Sequence, residues 1–119
     1  MTLTPRRRPE VTRGNTYRVA TGCGNIYITI NEDDEGICEV FASVGKSGGC
    51  ATSQTEAIGR LLSYALRAGA DPADLVEQLK NIACPSPTVK GPKSCADAIA
   101  LVLGRYVKEG AARTDAAPA

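Results

Sequence analysis

The chain has 119 residues, 43% of them hydrophobic, and a net charge of +1, which fits one globular domain and gives no argument by itself for a nucleic-acid or membrane partner. The absence of histidine excludes catalysis by Cys–His or Ser–His pairs. No apolar run approaches the ~20 residues that span a bilayer, and no apolar signal core is visible, so we expect a cytoplasmic protein without a membrane partner.

The two ends of the chain are predicted to lack regular structure. Residues 1–14 contain four arginines and two prolines without a periodic apolar pattern, and residues 109–119 are mostly small and polar. We therefore expect a disordered basic arm over 1–14, a folded domain over 15–108, and a disordered tail over 109–119.

The first half of the predicted domain is an antiparallel meander of three strands. Alternating apolar residues predict strands over 17–21, 25–31 and 37–44. Gly22-Cys23-Gly24 is short enough to form the tip of the first hairpin, and the acidic turn at 33–36 joins the second strand to the third.

The second half of the domain is predicted to be helical. Ile58, Leu61, Leu62, Ala65 and Leu66 share one face of a long helix that ends near Gly69. A second helix starts at Pro72 after the N-cap Asp71, and a third starts after Ser94, with Asp97 at the capping-box position. The predicted fold class is therefore α+β, a small antiparallel sheet of about three strands followed by three helices packed on one face.

Four of the five cysteines fall at the ends of predicted elements. Cys50 and Cys95 are expected on the inward faces of their helices, while Cys38 lies within a strand beside apolar positions. The four cysteines that we predict to form one site are Cys23, Cys50, Cys84 and Cys95.

The chemistry of these cysteines has three interpretations at this point. Four thiolates suit a tetrahedral structural zinc site, and a metal would help to stabilise a small core with few aromatic residues. The 26-, 33- and 10-residue intervals between them lack the close pairs of zinc ribbons, however. The four could equally be buried small hydrophobic residues, or Cys95 at a helix N-terminus could act with Cys84 in thiol redox chemistry.

Each of the four cysteines lies in a short motif. The motifs are Thr21-Gly22-Cys23-Gly24-Asn25, Gly48-Gly49-Cys50, Cys84-Pro85-Ser86-Pro87 and Ser94-Cys95-Ala96-Asp97-Ala98-Ile99-Ala100. Together they resemble the TSCPD domain, in the family's order over about residues 8–108, with Lys93 and Ala96 as departures from the motif that gives the family its name.

This resemblance implies a relation to ribonucleotide reduction. The TSCPD domain occurs at the C-terminal end of adenosylcobalamin-dependent (class II) ribonucleotide reductases and as small stand-alone proteins. The catalytic barrel, and the mobile cysteine pair near the C-terminus of those enzymes, have no counterpart in these 119 residues. We therefore expect an accessory or assembly domain that is not catalytic on its own, has no cobalamin site, and acts with a separate reductase, another enzyme, or further copies of itself.

A nucleic-acid or phosphate site is the remaining alternative. Arg6, Arg7 and Arg8 form a basic run, and Lys46 lies in a glycine-rich loop that leads into a helix, where backbone N–H groups can bind anions. The loop Gly45–Gly49 lacks the full P-loop spacing, and a terminal arginine run is commonly a solvated tail.

Overall fold

The computed structural model describes residues 3–22, 24–45, 49–85 and 91–109. It contains a three-stranded antiparallel sheet of order β1-β2-β3 followed by three helices, which confirms the predicted α+β class. No helix within these ranges is both long enough and apolar enough to cross a bilayer. The elements are β1 (Arg13–Thr21), β2 (Gly24–Asp33), β3 (Gly36–Val44), α1 (Gly49–Arg67), α2 (Pro72–Leu79) and α3 (Cys95–Glu109).

The core lies between one face of the sheet and the helices. The period-2 pattern of β2 places Ile26, Ile28 and Ile30 on this face, where all three are fully buried. Leu103 of α3 packs in the same cluster, and the buried Tyr106 donates a hydrogen bond from its hydroxyl to Glu32 of β2 at 2.7 Å. This contact fixes α3 against the central strand.

Cys38 lies at a β-bulge in β3, apart from the other cysteines. The register changes from Asn31 opposite Glu39 to Glu32 opposite Ile37, so Cys38 is the extra residue on β3. Its side chain is fully buried, and burial raises the pKa of its thiol. Cys38 is therefore a buried residue of the sheet, apart from the four cysteines of the predicted site.

Helix α1 covers the outer edge of β3. The Ser63 hydroxyl accepts a hydrogen bond from the Val40 N–H at 3.0 Å and donates one to the Val40 carbonyl, at 3.2 Å. Arg67 donates to the Cys38 carbonyl. At Gly59 an added Cβ would lie 3.0 Å from the Val40 carbonyl oxygen, so this glycine permits the close approach of helix and sheet.

The buried face of α1 differs from the predicted one. Leu61 was expected on the inward stripe, but it is 72% exposed. The residues that face the sheet include small and polar ones, because they pack against strand backbone as well as against apolar side chains. The buried residues are Thr55, Gly59, Leu62, Ser63 and Leu66.

Helix α2 begins at the residue that the sequence predicts. The side chain of Asp71 accepts the Ala73 N–H at 2.9 Å, and Pro72 occupies the first helical position. The helix packs mainly on α3, with Val76 near Gly104. It therefore forms a layer outside α3, and its apolar residues Leu75, Val76 and Leu79 pack against the core.

Candidate functional site: the cysteine pocket

The N-terminus of α3 organises the loop that carries Cys84. Ser94 caps the helix, because its hydroxyl accepts the Asp97 N–H at 3.0 Å. The same hydroxyl donates to the Ile82 carbonyl at 2.6 Å. The Cys84 N–H then bonds to the Lys93 carbonyl at 2.9 Å. One cap residue thus joins the helix start to the loop after α2.

Asp97 reinforces this junction with its carboxylate. One oxygen accepts the Asn81 N–H at 2.7 Å and the other accepts the Lys93 N–H at 2.9 Å, while the residue is only 5% exposed. Asn81 has a φ of 65°, in the left-handed region, so the bond from Asp97 holds a turn that the chain rarely adopts unaided. Ser94 and Asp97 therefore give the loop around Cys84 a defined path.

Cys84 and Cys95 share one pocket. Its volume is about 460 Å³, and both cysteines are partly buried at its wall. Ala51 and Ile58 of α1 line the same pocket, as does Leu79 of α2. Three helices and one loop therefore surround two thiols in a mainly apolar setting.

The end of β1 lies beside Cys95 as well. The Thr21 hydroxyl lies 4.0 Å from the Cys95 Sγ and bonds to the Gly24 carbonyl at 2.8 Å. Thr21 and Gly24 flank the hairpin tip predicted to hold Cys23, and Cys23 itself lies outside the described residues. Thr21, two residues before Cys23, is therefore beside Cys95.

Cys50 is the least enclosed of the described candidates. It lies in the first turn of α1 and is exposed, so the prediction that it points with the buried stripe was wrong. Its neighbour Ala51 lines the pocket that holds Cys84 and Cys95. Within residues 3–22, 24–45, 49–85 and 91–109, no three Cys, His, Asp or Glu side chains are arranged as a metal-binding group.

Two of the three N-terminal arginines are held by carboxylates of the same chain. Arg6 forms a bidentate pair with Asp33, with both N–O distances 2.9 Å, and this hydrogen-bonded pairing lowers the pKa of the Asp33 carboxyl. Arg8 pairs with the buried Glu39 at 2.7 Å. Arg7 is exposed.

The N-terminal segment contacts the sheet and α1, whereas the sequence predicts a disordered basic arm over 1–14. Residues 3–12 have no helix or strand, yet the Arg6 N–H bonds to the Arg67 carbonyl at 2.9 Å, and β1 already begins at Arg13. The basic run is therefore largely neutralised where it meets the sheet. Lys46, the remaining residue of the predicted anion site, lies outside the described residues, as do residues 110–119 of the predicted tail.

A family model for the TSCPD domain matches residues 1–107. The chain belongs to the TSCPD domain family. In this TSCPD domain the segment Ser94-Cys95-Ala96-Asp97 supplies the cap, the pocket thiol and the carboxylate that holds the Cys84 loop. A search of curated proteins and a search of solved structures each found no match.

Sequence reasoning missed two members of this TSCPD site. Thr21 contacts Cys95, and its only sequence signal was its place in the Thr21–Asn25 motif, two residues before Cys23. Asp97 was predicted only as a capping residue, but its carboxylate also binds Asn81, sixteen residues earlier in the chain. A contact between segments so far apart has no local sequence signature.

Proposed function

We propose that this TSCPD domain is a non-catalytic accessory or assembly domain in ribonucleotide reduction, and that its four end-of-element cysteines hold one structural zinc ion. The observation that carries the proposal is the pocket shared by Cys84 and Cys95, which the Ser94–Asp97 motif of the family builds. The proposed ligands are Cys23, Cys50, Cys84 and Cys95.

The donor chemistry supports zinc. Structural zinc sites use four thiolates in a tetrahedral arrangement, with ligands supplied by turns and helix ends. Cys84 comes from a loop and Cys95 from the start of α3. Thr21, two residues before Cys23, contacts Cys95, and Ala51, next to Cys50, lines the pocket, which supports the inclusion of Cys23 and Cys50 in the proposal. A zinc ion bound there would join the first hairpin to α1 and α3, and its binding free energy would add to that of folding.

The family supports the accessory role. TSCPD domains accompany adenosylcobalamin-dependent reductases, and the partner we propose is a separately encoded reductase, a different enzyme, or a second copy of the chain. A metal that joins separate elements gives such a domain a rigid surface for the partner.

Metal analysis tests the zinc site. Protein purified without added metal is expected to contain about one zinc per chain by elemental mass spectrometry. Cys95→Ser and Cys84→Ser should each lose most of the zinc and melt at a lower temperature. Cys38→Ser is the matched control, because Cys38 lies in the bulge of β3 and should leave the zinc content unchanged. Finding no transition metal, together with four titratable thiols at the proposed ligands, would overturn the zinc proposal.

The shared pocket also supports a second candidate, a thiol-redox module. Cys95 lies at a helix N-terminus, where a thiolate is stabilised, and Cys84 is the nearby resolving thiol. In this reaction the Cys95 thiolate attacks a disulfide of the partner, and Cys84 then resolves the mixed disulfide. The two thiols lose two electrons and two protons, and the partner's disulfide becomes two thiols.

A trapping experiment distinguishes the two candidates. Under the redox proposal, Cys84→Ser mixed with oxidised thioredoxin should form a mixed disulfide at Cys95, because the thioredoxin disulfide is the bond that is broken and Cys84 is absent to resolve the product. Mass spectrometry after an acid quench would detect it. Under the zinc proposal, the metal-loaded protein should exchange with thioredoxin only after a chelator removes the metal. Absence of exchange in the metal-free, folded protein would eliminate the redox candidate.

A further inference from the structure

Most of the aromatic side chains of this chain are on its surface. The sequence has only four tyrosines and one phenylalanine. Tyr106 is buried and Tyr17 is half-buried, but Phe41 is 50% exposed, Tyr64 is 54% exposed and Tyr27 is 38% exposed. Exposed aromatic rings that share one surface are typical of binding sites, so their relative positions are informative.

The strand register brings the exposed rings together. Tyr27 of β2 lies opposite Arg18 on one side and Ser43 on the other, while Thr29 lies opposite Phe41. Tyr27 and Phe41 are thus diagonal neighbours on the face of the sheet that points away from the helical core. Diagonal neighbours on adjacent strands are generally ~7–8 Å apart, within reach of aromatic side chains.

Helix α1 extends this surface. Phe41 and Tyr64 line a pocket of about 380 Å³, together with Arg60 from the same helix. We define the aromatic face as Arg18, Tyr27, Phe41, Arg60 and Tyr64.

The charge around the aromatic face is positive. Arg18 is exposed and forms no salt bridge with any residue in the described ranges. Among the described residues Arg60 forms a salt bridge only with Glu56, one turn earlier on α1, and both side chains are largely exposed, so its guanidinium can change partners at little cost. Two carboxylates line pockets beside Phe41: Glu56, and Glu39, which is buried and paired with Arg8.

We propose that the aromatic face binds single-stranded nucleic acid. Unpaired bases stack on Tyr27 and Phe41, and the arginines at the margins contact the phosphates. An open antiparallel face with aromatic rings is an arrangement by which sheets bind unpaired bases, and base–aromatic stacking is tolerant of sequence. This surface differs from the basic run at Arg6–Arg8, and the proposal does not rest on the cysteine site.

Charge favours this ligand over a second copy of the chain. In a contact between two aromatic faces, Arg18 of each copy would meet a surface whose carboxylates, Glu39 and Glu56, are already paired with Arg8 and Arg60. A single-stranded nucleic acid matches both kinds of side chain, since its anionic phosphates suit the arginines and its flat bases suit the aromatic rings. The proposed ligand class therefore follows from the presence of arginines and exposed aromatic rings on the same surface.

Fluorescence anisotropy with a labelled oligothymidine of about 12 nucleotides tests the proposal, since small single-strand-binding domains cover ~4–16 nucleotides. The protein should bind at about 50 mM salt and weaken as salt rises, with a slope that falls by about 0.7 when Arg18→Gln removes one phosphate contact. Phe41→Thr and Tyr27→Thr keep a good strand former and should each weaken binding about 10-fold. Circular dichroism melts would verify that the variants fold.

Two controls define the surface. Leu101→Ala removes an exposed apolar side chain from α3, and Arg7→Gln removes an exposed arginine outside the face, so both should bind like the unaltered protein. No binding by folded protein at about 50 mM salt would overturn the proposal. It would also be overturned if Phe41→Thr and Tyr27→Thr bound normally, or if only Arg7→Gln lost binding. Binding of an acidic peptide but not of the oligonucleotide would overturn it in favour of a protein partner.

Discussion

The Asp97 carboxylate accepts a hydrogen bond from the Asn81 N–H at 2.7 Å and so fixes the loop after α2 to the start of α3. Its second oxygen binds the Lys93 N–H, at the other end of the same loop. The two ends of the segment that contains Cys84 are therefore held by a single side chain. The position of Cys84 beside Cys95 depends on this carboxylate.

Asp97→Asn is expected to destabilise the fold and release the loop. An amide offers one acceptor oxygen in place of two, and its NH₂ group would face a backbone N–H, so we expect a loss of about 1–3 kcal/mol in the free energy of unfolding. Iodoacetamide should also alkylate Cys84 faster in the metal-free variant, measured by peptide mass spectrometry. Asp74→Asn is the control, since Asp74 is exposed on α2. Equal melting of the two variants would contradict the assigned role.

Substitutions at Gly59 and Gly104, the two glycines in the interior of helices, are expected to have opposite effects. Alanine is favoured over glycine in a helix by about 1 kcal/mol. Gly104→Ala should gain this amount, because its Cβ would meet Val76 at an ordinary 3.7 Å. Gly59→Ala should instead lower stability, because its Cβ would lie 3.0 Å from a carbonyl oxygen of the sheet. Urea unfolding of both variants measures the difference, and stabilisation by Gly59→Ala would show that α1 can move away from β3.

Ser63→Ala tests the contact between α1 and the edge of β3. The substitution leaves the N–H and the carbonyl of Val40 without the hydroxyl that serves both, so a loss of about 1–3 kcal/mol is expected. Ser53→Ala provides a matched control, because Ser53 is exposed on the same helix. Hydrogen exchange should accelerate at the Val40 amide in the Ser63 variant only. An unchanged rate there would mean that this bond does not protect the strand edge.

The fold and the site were predictable to different extents. Alternation in β2 and the Asp71–Pro72 signal are local patterns, and both predicted their elements correctly. The inward face of α1 was not predictable from apolar spacing, because it is built partly from Gly59 and Ser63, while Leu61 points to solvent. The approach of the Cys84 loop to α3 depends on contacts between distant segments, which spacing alone does not reveal.

Acid should weaken the contact between the N-terminal segment and the sheet. Burial acts to raise the pKa of the Glu39 carboxyl, but hydrogen bonds from Arg8 and Asn31 outweigh it and leave the pKa below its ordinary value. Because the folded pKa is lower than the unfolded one, this stabilisation is complete above about pH 4.5 and is lost as the pH falls through the folded pKa.

Glu39→Gln should therefore cost about 2 kcal/mol at neutral pH, and the difference from the unaltered protein should shrink in acid. Urea unfolding across a pH series measures this convergence. Glu10→Gln is the control, because Glu10 is exposed. A constant difference between the Glu39 variant and the unaltered protein down to the most acidic pH would contradict the assigned pairing.

The position of α1 beside β3 makes the sheet extensible in one direction only. Ser63 and Arg67 already bind backbone groups along that edge, whereas no segment of the described ranges other than β2 pairs with β1. Arg13 and Arg18 on β1 are charges of the kind that discourage accidental pairing of strands between copies. A polypeptide that joins this domain as an additional strand would therefore do so along residues 13–21, at the margin farthest from α1.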